Sequence, residues 1–219
     1  MVETQIPVSD KKYAKQLRSG IQYSSLSVLL VLLWEVMPLA LQIPSFILPR
    51  PSDIILELVA NYSFYLAEAA VTVQQVIIGL AIGASLGIAF GIAIYYIDIL
   101  RETLYPFLAI NYVVPKVAIA PIFVYWFGSG MRSKVLLVIS ITFFPLVVNT
   151  FTGLVEIEDK YEMLGRNYLA SERFLFREVR WPAALPYIFT GLRLAAVLAV
   201  IGSIVAEYVS SSQGLGAII

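Results

Sequence analysis

Five long apolar segments alternate with short polar ones along the chain, and their lengths predict membrane-spanning helices. An α-helix needs about 20 apolar residues to cross a bilayer, and the five segments are of about that length or longer. Glu35 and Pro38 interrupt the first segment, and three prolines break the third. The pattern predicts an all-α membrane protein with spans over residues 26–43, 69–97, 103–127, 135–155 and 187–206.

Basic residues predict how these spans are oriented, because Lys and Arg accumulate on the cytosolic side of membrane proteins. A signal peptide would also begin with a basic segment, but the first apolar run is long for one and no small-residue cleavage site follows it. With a cytosolic N-terminus, ten Lys and Arg residues lie in the cytosol. Three lie on the opposite side: Arg50, Arg132 and Lys134.

The second apolar segment carries a glycine at every fourth position, namely Gly79, Gly83, Gly87 and Gly91. In lipid, small residues at this spacing allow two helix backbones to approach closely. In water, so much glycine would weaken a helix, and a flexible segment is the alternative interpretation. We expect close packing against another span of this chain.

Residues 156–186 form the one long charged segment and hold eleven of the thirty Asp, Glu, Lys and Arg residues. Exposure of the aromatic side chains of this segment to water would be unfavourable unless they lie at a membrane or protein interface. A solvated loop that merely satisfies the charge bias is the alternative. We expect a cytosolic docking surface with arginines sharing one helical face: Arg173, Arg177 and Arg180.

The sequence predicts two short helices in the charged segment. Asp159 and Glu162 resemble a capping box at the start of the first helix. Ser171 is a suitable cap for the second helix, which we expect Pro182 and Pro186 to end.

Composition excludes several functions. The protein has 219 residues, of which 59% are hydrophobic and 14% charged, with a formal net charge of zero. Nucleic-acid binding would require a basic face. The sequence contains neither Cys nor His, so thiol chemistry is excluded and the commonest general base and transition-metal ligand are absent. These observations disfavour an intramembrane enzyme.

Polar residues inside membrane spans are candidate functional residues. Lys116 lies near Asn111 and Tyr112 on the broken third segment, where the three could contact a polar or anionic solute. Equally, Lys116 could face backbone carbonyls that Pro115 leaves free. Asn149 is a further candidate for the solute pathway, although a hydrogen bond between helices explains it as well.

Five stretches across residues 48–216 together resemble the transmembrane subunits of bacterial ATP-binding-cassette (ABC) importers that depend on a binding protein. Within this family, the chain most resembles the branch of permeases for sulfonates, taurine, nitrate, thiamine-pyrimidine precursors and riboflavin. The stretches are Leu48–Ser52, the glycine series, Pro115–Pro121 with Trp126–Gly128, Phe143–Pro145, and Pro182–Leu194.

The resemblance implies a type I importer fold whose charged loop docks an ATPase. Only Pro182 is identical to the family's loop signature, and Leu169 stands where the family has glycine. A further span after Gly216 is also implied, so we expect this chain to be a shortened form. The implied docking residues are Gly165, Arg166, Ala170, Ser171, Arg173, Phe174 and Arg177.

The same resemblance implies partners: a second copy of the permease, two ABC ATPase subunits and an extracytoplasmic binding protein. The chain has no GxxxxGK[ST] motif, so ATP and magnesium are expected on the ATPase alone. We expect a vitamin or heterocyclic precursor as solute, with sulfonate, taurine, nitrate or bicarbonate as alternatives. A secondary transporter is a remote alternative. The expected organisation is a cytosolic segment (1–22), a first span and extracytoplasmic loop (23–67), and a permease core (68–219) in the inner membrane.

Overall fold

The computed structural model describes residues 8–111, 116–156, 163, 171–210 and 212–219, and this part of the chain contains helices and no strands. The described residues form seven main helices. They are α1 (Val8–Ala40), α2 (Pro51–Ala60), α3 (Tyr62–Tyr96), α4 (Asp98–Asn111), α5 (Ala120–Phe127), α6 (Met131–Val155) and α7 (Glu172–Ser210), with short 3-10 turns at Lys116–Ile119 and Leu215–Ala217.

Three helices are long and apolar enough to cross a membrane: α3, α6 and α7, with mean hydropathies of 2.1 to 2.3. A shorter apolar stretch, Ser25–Ala40, lies within α1. The described residues of the predicted third span belong to α4, a 3-10 turn and α5, and residues 112–115 lie outside the described part of the chain. The predicted all-α membrane fold is confirmed.

The chain forms two compact units, Met1–Phe64 and Tyr65–Ile219. In the first unit, the carboxylate of Glu35 accepts hydrogen bonds from the backbone N–H and the hydroxyl of Ser52, at 3.1 and 2.6 Å. Glu35 and Pro38 interrupt the apolar segment of the first predicted span but not the helix that contains it. Pro38 lies inside α1, and the backbone N–H of Leu41 still reaches the carbonyl of Met37.

The second unit is built around α6, which packs against α7 and the α3 residues of the same unit. Buried apolar residues from these helices form its core, and α5 joins that core through Ala120. The α6 side chains at the centre are fully or almost fully buried: Leu137, Val138, Leu146, Val147 and Leu154.

Helix α7 runs through both prolines that we expected to end it, so that prediction is wrong. The residues just before Pro182 form a wider π-helical turn, Phe176–Arg180, in which the backbone N–H of Trp181 reaches back to the carbonyl of Phe176. A wider turn relieves the clash between a proline ring and the preceding turn. Helix α7 therefore stays continuous for 39 residues.

Candidate functional site

The glycine series of α3 lies directly against α6. The four glycines are buried, and an added Cβ at Gly87 would lie 2.6 Å from the carbonyl oxygen of Phe143. An added Cβ at Gly91 would lie 2.8 Å from Cβ of Thr150. Partner residues on α6 advance by four as the glycines do, so the two helices run parallel. The glycines make this close approach possible.

The charged start of α7 is exposed. Ser171 caps the helix as predicted, because its hydroxyl oxygen accepts a hydrogen bond from the backbone N–H of Phe174 at 3.3 Å. The Phe174 side chain is 55% exposed, and Arg173 and Arg177 are also exposed. Gly165, Arg166 and Ala170, the other three expected docking residues, lie outside the described residues.

A cavity of about 400 Å³ opens beside this exposed start. Two cations and two aromatic rings of α7 face one apolar residue of α3 there. Its lining residues are Ile92, Arg173, Phe176, Arg177 and Trp181.

Arg180 lies behind the exposed face and is buried, with a side chain only 5% exposed. Its guanidinium donates to the carboxylate of Glu172 at 2.8 Å and to the hydroxyl of Tyr96 at 3.4 Å. It also lies over the Tyr95 ring, 5.4 Å from the ring centroid. Arg180 therefore joins the first turn of α7 to the last turn of α3.

The opposite end of the second unit holds a buried polar cluster, which we name the tail clamp. It fastens the backbone of residues 213–216 to α3, α6 and α7. The carboxylate of Glu207 accepts a hydrogen bond from the N–H of Gly216 at 2.8 Å. The Thr72 hydroxyl accepts one from Leu215 at 2.9 Å, and Glu68 accepts one from the N–H of Gly214.

Further side chains complete the tail clamp from α3, α6 and α7. The ammonium of Lys134 donates to the carbonyl of Gln213 at 2.6 Å. The Ser203 hydroxyl donates to the amide oxygen of Gln75 at 2.9 Å. The amide nitrogen of Gln75 has no hydrogen-bond partner among the described residues. Apart from Glu68, whose burial is intermediate, the side chains that form the clamp are buried.

The expected solute-pathway residues are only partly described. Asn149 donates from its side-chain nitrogen to the Pro145 carbonyl of its own helix at 2.8 Å, and not across to another helix. Asn111 ends α4 and Lys116 begins the 3-10 turn. Tyr112 lies outside the described residues. Their contact with a solute stays a prediction.

A surface ion pair in the first unit joins Arg50 to Asp53 at 2.7 Å. The hydrogen bond from Arg50, followed by its positive charge, holds the pKa of the Asp53 carboxyl below its usual value. Over the part of the chain that the structure describes, no group of three or more Asp or Glu side chains could hold a metal ion.

Comparison with known proteins decides the family. The family of binding-protein-dependent transport system inner membrane components matches residues 79–219. This chain belongs to that family. It is the permease component of an ABC importer of small solutes, with the type I importer transmembrane fold.

Three relatives illustrate the range of this permease family. The formylaminopyrimidine transport permease of Halalkalibacterium halodurans is 35% identical over 190 residues, which cover 86% of this chain and 76% of that protein. The riboflavin transport system permease of Chloroflexus aurantiacus is 33% identical over 203 residues (88% and 72%). The taurine transport system permease of Escherichia coli is 29% identical over 203 residues (90% and 74%).

Sequence reasoning missed the permease's two buried ionic clusters. Glu68 and Glu207 each lie one residue outside a predicted span, so the hydropathy pattern assigned them no role. The sequence feature that could have indicated the cluster around Glu68 and Glu207 is the pair Gly214 and Gly216, which follows closely after Glu207. Gly214 has φ +106°, and a side chain there would meet the Glu207 carboxylate.

Proposed function

We propose that this permease docks its ATPase through the exposed first turns of α7 and imports a small vitamin or heterocyclic precursor. The ATPase would bind ATP and magnesium, and an extracytoplasmic protein would deliver the solute. A second copy of this chain would complete the pathway in the inner membrane, with the N-terminus in the cytosol.

The observation that carries the docking proposal is the exposed, capped start of α7. Arg173, Phe174 and Arg177 face solvent on a helix that continues for 39 residues into the bundle. An aromatic anchor flanked by arginines is the composition of residues that dominate protein interfaces. Because the helix is continuous, a push at this turn would move the span itself.

The docking test compares Phe174→Ala and an Arg173→Ala, Arg177→Ala double variant with Arg101→Ala. Arg101 is a matched control because it is an exposed arginine paired only at the surface with Asp98, at 2.7 Å. We expect ATPase capture in detergent to weaken at least about tenfold for the docking variants, and the control to bind normally. Normal capture by both docking variants would contradict the proposal.

The substrate proposal is supported by the similarity to permeases whose names specify formylaminopyrimidine and riboflavin. The permeases for aliphatic sulfonates and taurine are 31% and 29% identical, below the 35% of the formylaminopyrimidine permease, and a sulfonate is therefore the second candidate. Proteoliposomes containing the permease, the ATPase and the binding protein would be tested for uptake of labelled formylaminopyrimidine. We expect uptake of this compound and no uptake of labelled taurine in parallel vesicles. Uptake of labelled taurine alone would favour the second candidate.

The orientation can be tested directly because the chain contains no cysteine. Glu178→Cys lies near the docking turn, and Gln213→Cys lies in the loop held by the tail clamp. In intact spheroplasts, a membrane-impermeant maleimide should label Gln213→Cys and leave Glu178→Cys unlabelled until the cells are opened. The reverse pattern would contradict a cytosolic N-terminus.

A further inference from the structure

We propose that Arg180 is a positioning residue that transmits motion of the docking turn to α3, and so couples ATP hydrolysis to transport. This inference rests on the proposed docking function. It assigns the coupling step to one buried side chain and its contacts with Glu172, Tyr95 and Tyr96.

The contacts of Arg180 come from the two elements that would have to move together. Glu172 belongs to the first turn of α7, where docking is proposed. Tyr95 and Tyr96 belong to the last turn of α3. The planar guanidinium offers donors in a fixed geometry, so it holds these two turns at a set angle. A lysine ammonium lacks this planar geometry, so it would not fix the orientation of either partner.

Burial of this arginine is costly for stability alone. Removing a guanidinium from water carries a desolvation penalty that an apolar side chain of similar volume avoids. Its acidic partner Glu172 is 64% exposed, and so contributes little by itself. The buried position of Arg180 is therefore better explained by the orientation that it fixes between the two helix turns than by a contribution to the free energy of unfolding.

Aromatic rings lie beside the arginine and connect the two helices. The Phe176 ring centroid lies 6.0 Å from those of Tyr96 and Trp181. Tyr95 and Tyr96 meet edge to face at 5.0 Å. The contact of Tyr96 with Phe176 joins α3 to α7 beside the cavity, so a displacement of the docking turn would be passed on through these rings.

The π-helical turn places Arg180 at the one irregular point of α7. Such turns hold an extra residue, and they occur frequently at functional sites. Here the irregular turn, which includes the docking residue Arg177, lies between Phe174 and the membrane span. On the other side of the junction, α3 is locked to α6 along the glycine series. Motion received by Tyr95 and Tyr96 therefore reaches α6 as well.

The test measures solute transported per ATP hydrolysed in proteoliposomes that contain the permease, ATPase and binding protein. The variants are Arg180→Lys, Arg180→Met and Tyr96→Phe, with Arg101→Ala as the control. We expect both Arg180 variants to capture ATPase normally, while the ratio falls at least about threefold. Tyr96→Phe should lower it less, because it removes only the hydrogen bond from Arg180 to the Tyr96 hydroxyl. The control should keep the wild-type ratio.

The outcomes separate the two proposals. An unchanged ratio in Arg180→Lys would overturn the coupling role, as would loss of ATPase capture together with transport. If Arg180→Met fails to insert, Arg180→Lys and Tyr96→Phe still decide the question. Failure of the wild-type permease to capture ATPase would instead overturn the docking proposal itself.

Discussion

The carboxylate of Glu207 lies 2.8 Å from the backbone nitrogen of Gly216, and neither residue is accessible to solvent. This bond ties the last turns of α7 to the loop that follows them. Buried carboxylates are retained in proteins when hydrogen bonds compensate for their lost hydration. Glu207 has such compensation from the N–H of Gly216, while the Ser203 hydroxyl, which donates to Gln75, lies 3.5 Å away.

Substitution of Glu207 should therefore destabilise the second unit. In Glu207→Ala the N–H of Gly216 would lose its acceptor, at a cost of about 1–3 kcal/mol. Glu207→Gln is the matched control, since its amide oxygen can still accept that bond. Thermal unfolding in detergent should rank wild type above Glu207→Gln and Glu207→Ala lowest. Equal melting temperatures would show that the clamp does not contribute to stability.

The glycine series should tolerate no side chain. Gly87→Ala would bring Cβ against the Phe143 carbonyl, and backbone cannot yield as a flexible side chain can. We expect a loss of about 1–3 kcal/mol in the free energy of unfolding. Ser85→Ala, on the exposed face of the same helix, should change it by no more than about 0.5 kcal/mol. Both can be followed by chemical unfolding of the purified permease. Equal stabilities would argue against close packing of α3 on α6.

The cap at Ser171 predicts local fraying of the docking turn. Ser171→Ala removes the acceptor for the Phe174 N–H, and the loss of about 1 kcal/mol would speed hydrogen exchange at that amide about fivefold. Ser171→Asp should restore protection, because aspartate caps helices as well as serine. Exchange measured by mass spectrometry on peptides from 171–180 would detect the difference. Protection unchanged in Ser171→Ala would mean that the cap is dispensable.

The Arg50–Asp53 pair predicts an acid-sensitive contact in the first unit. Because the pKa of Asp53 is lowered from 3.8 in the folded chain, its contribution to stability is complete above 3.8. It is lost as the pH falls through the lower folded value. An NMR titration of the Asp53 carboxyl should give a midpoint below 3.8. In Arg50→Met, the midpoint should return towards 3.8. A normal midpoint in the wild type would mean that the pair does not form.

The fold was largely predictable because hydropathy and glycine spacing are patterns within single segments of the chain. A lipid bilayer allows few departures from either pattern. Spans α3, α6 and α7 follow from apolar length, and Ser171 follows from cap chemistry. The glycine spacing predicted a close helix contact but not its partner, since nothing in α3 alone specifies α6.

The errors have a common physical origin. Pro182 was expected to end a helix, and a π-helical turn accommodates it instead. That turn depends on tertiary contacts of Phe176 and Arg180 that the sequence does not display. Glu68 and Glu207 received no role because they lie just outside the predicted spans, where a carboxylate is usually solvated. Their role depends on a loop that lies far along the chain from Glu68.

The tail clamp also has a consequence for biogenesis. Glu68 and its partner Gly214 are 146 residues apart in the sequence. At typical synthesis rates this corresponds to roughly 7–30 s. During that interval Glu68 and the amide of Gln75 in α3 lack their final neighbours. Membrane chaperones and quality-control proteases would therefore meet this permease with the tail clamp unformed until Gly214 and Gly216 have been translated.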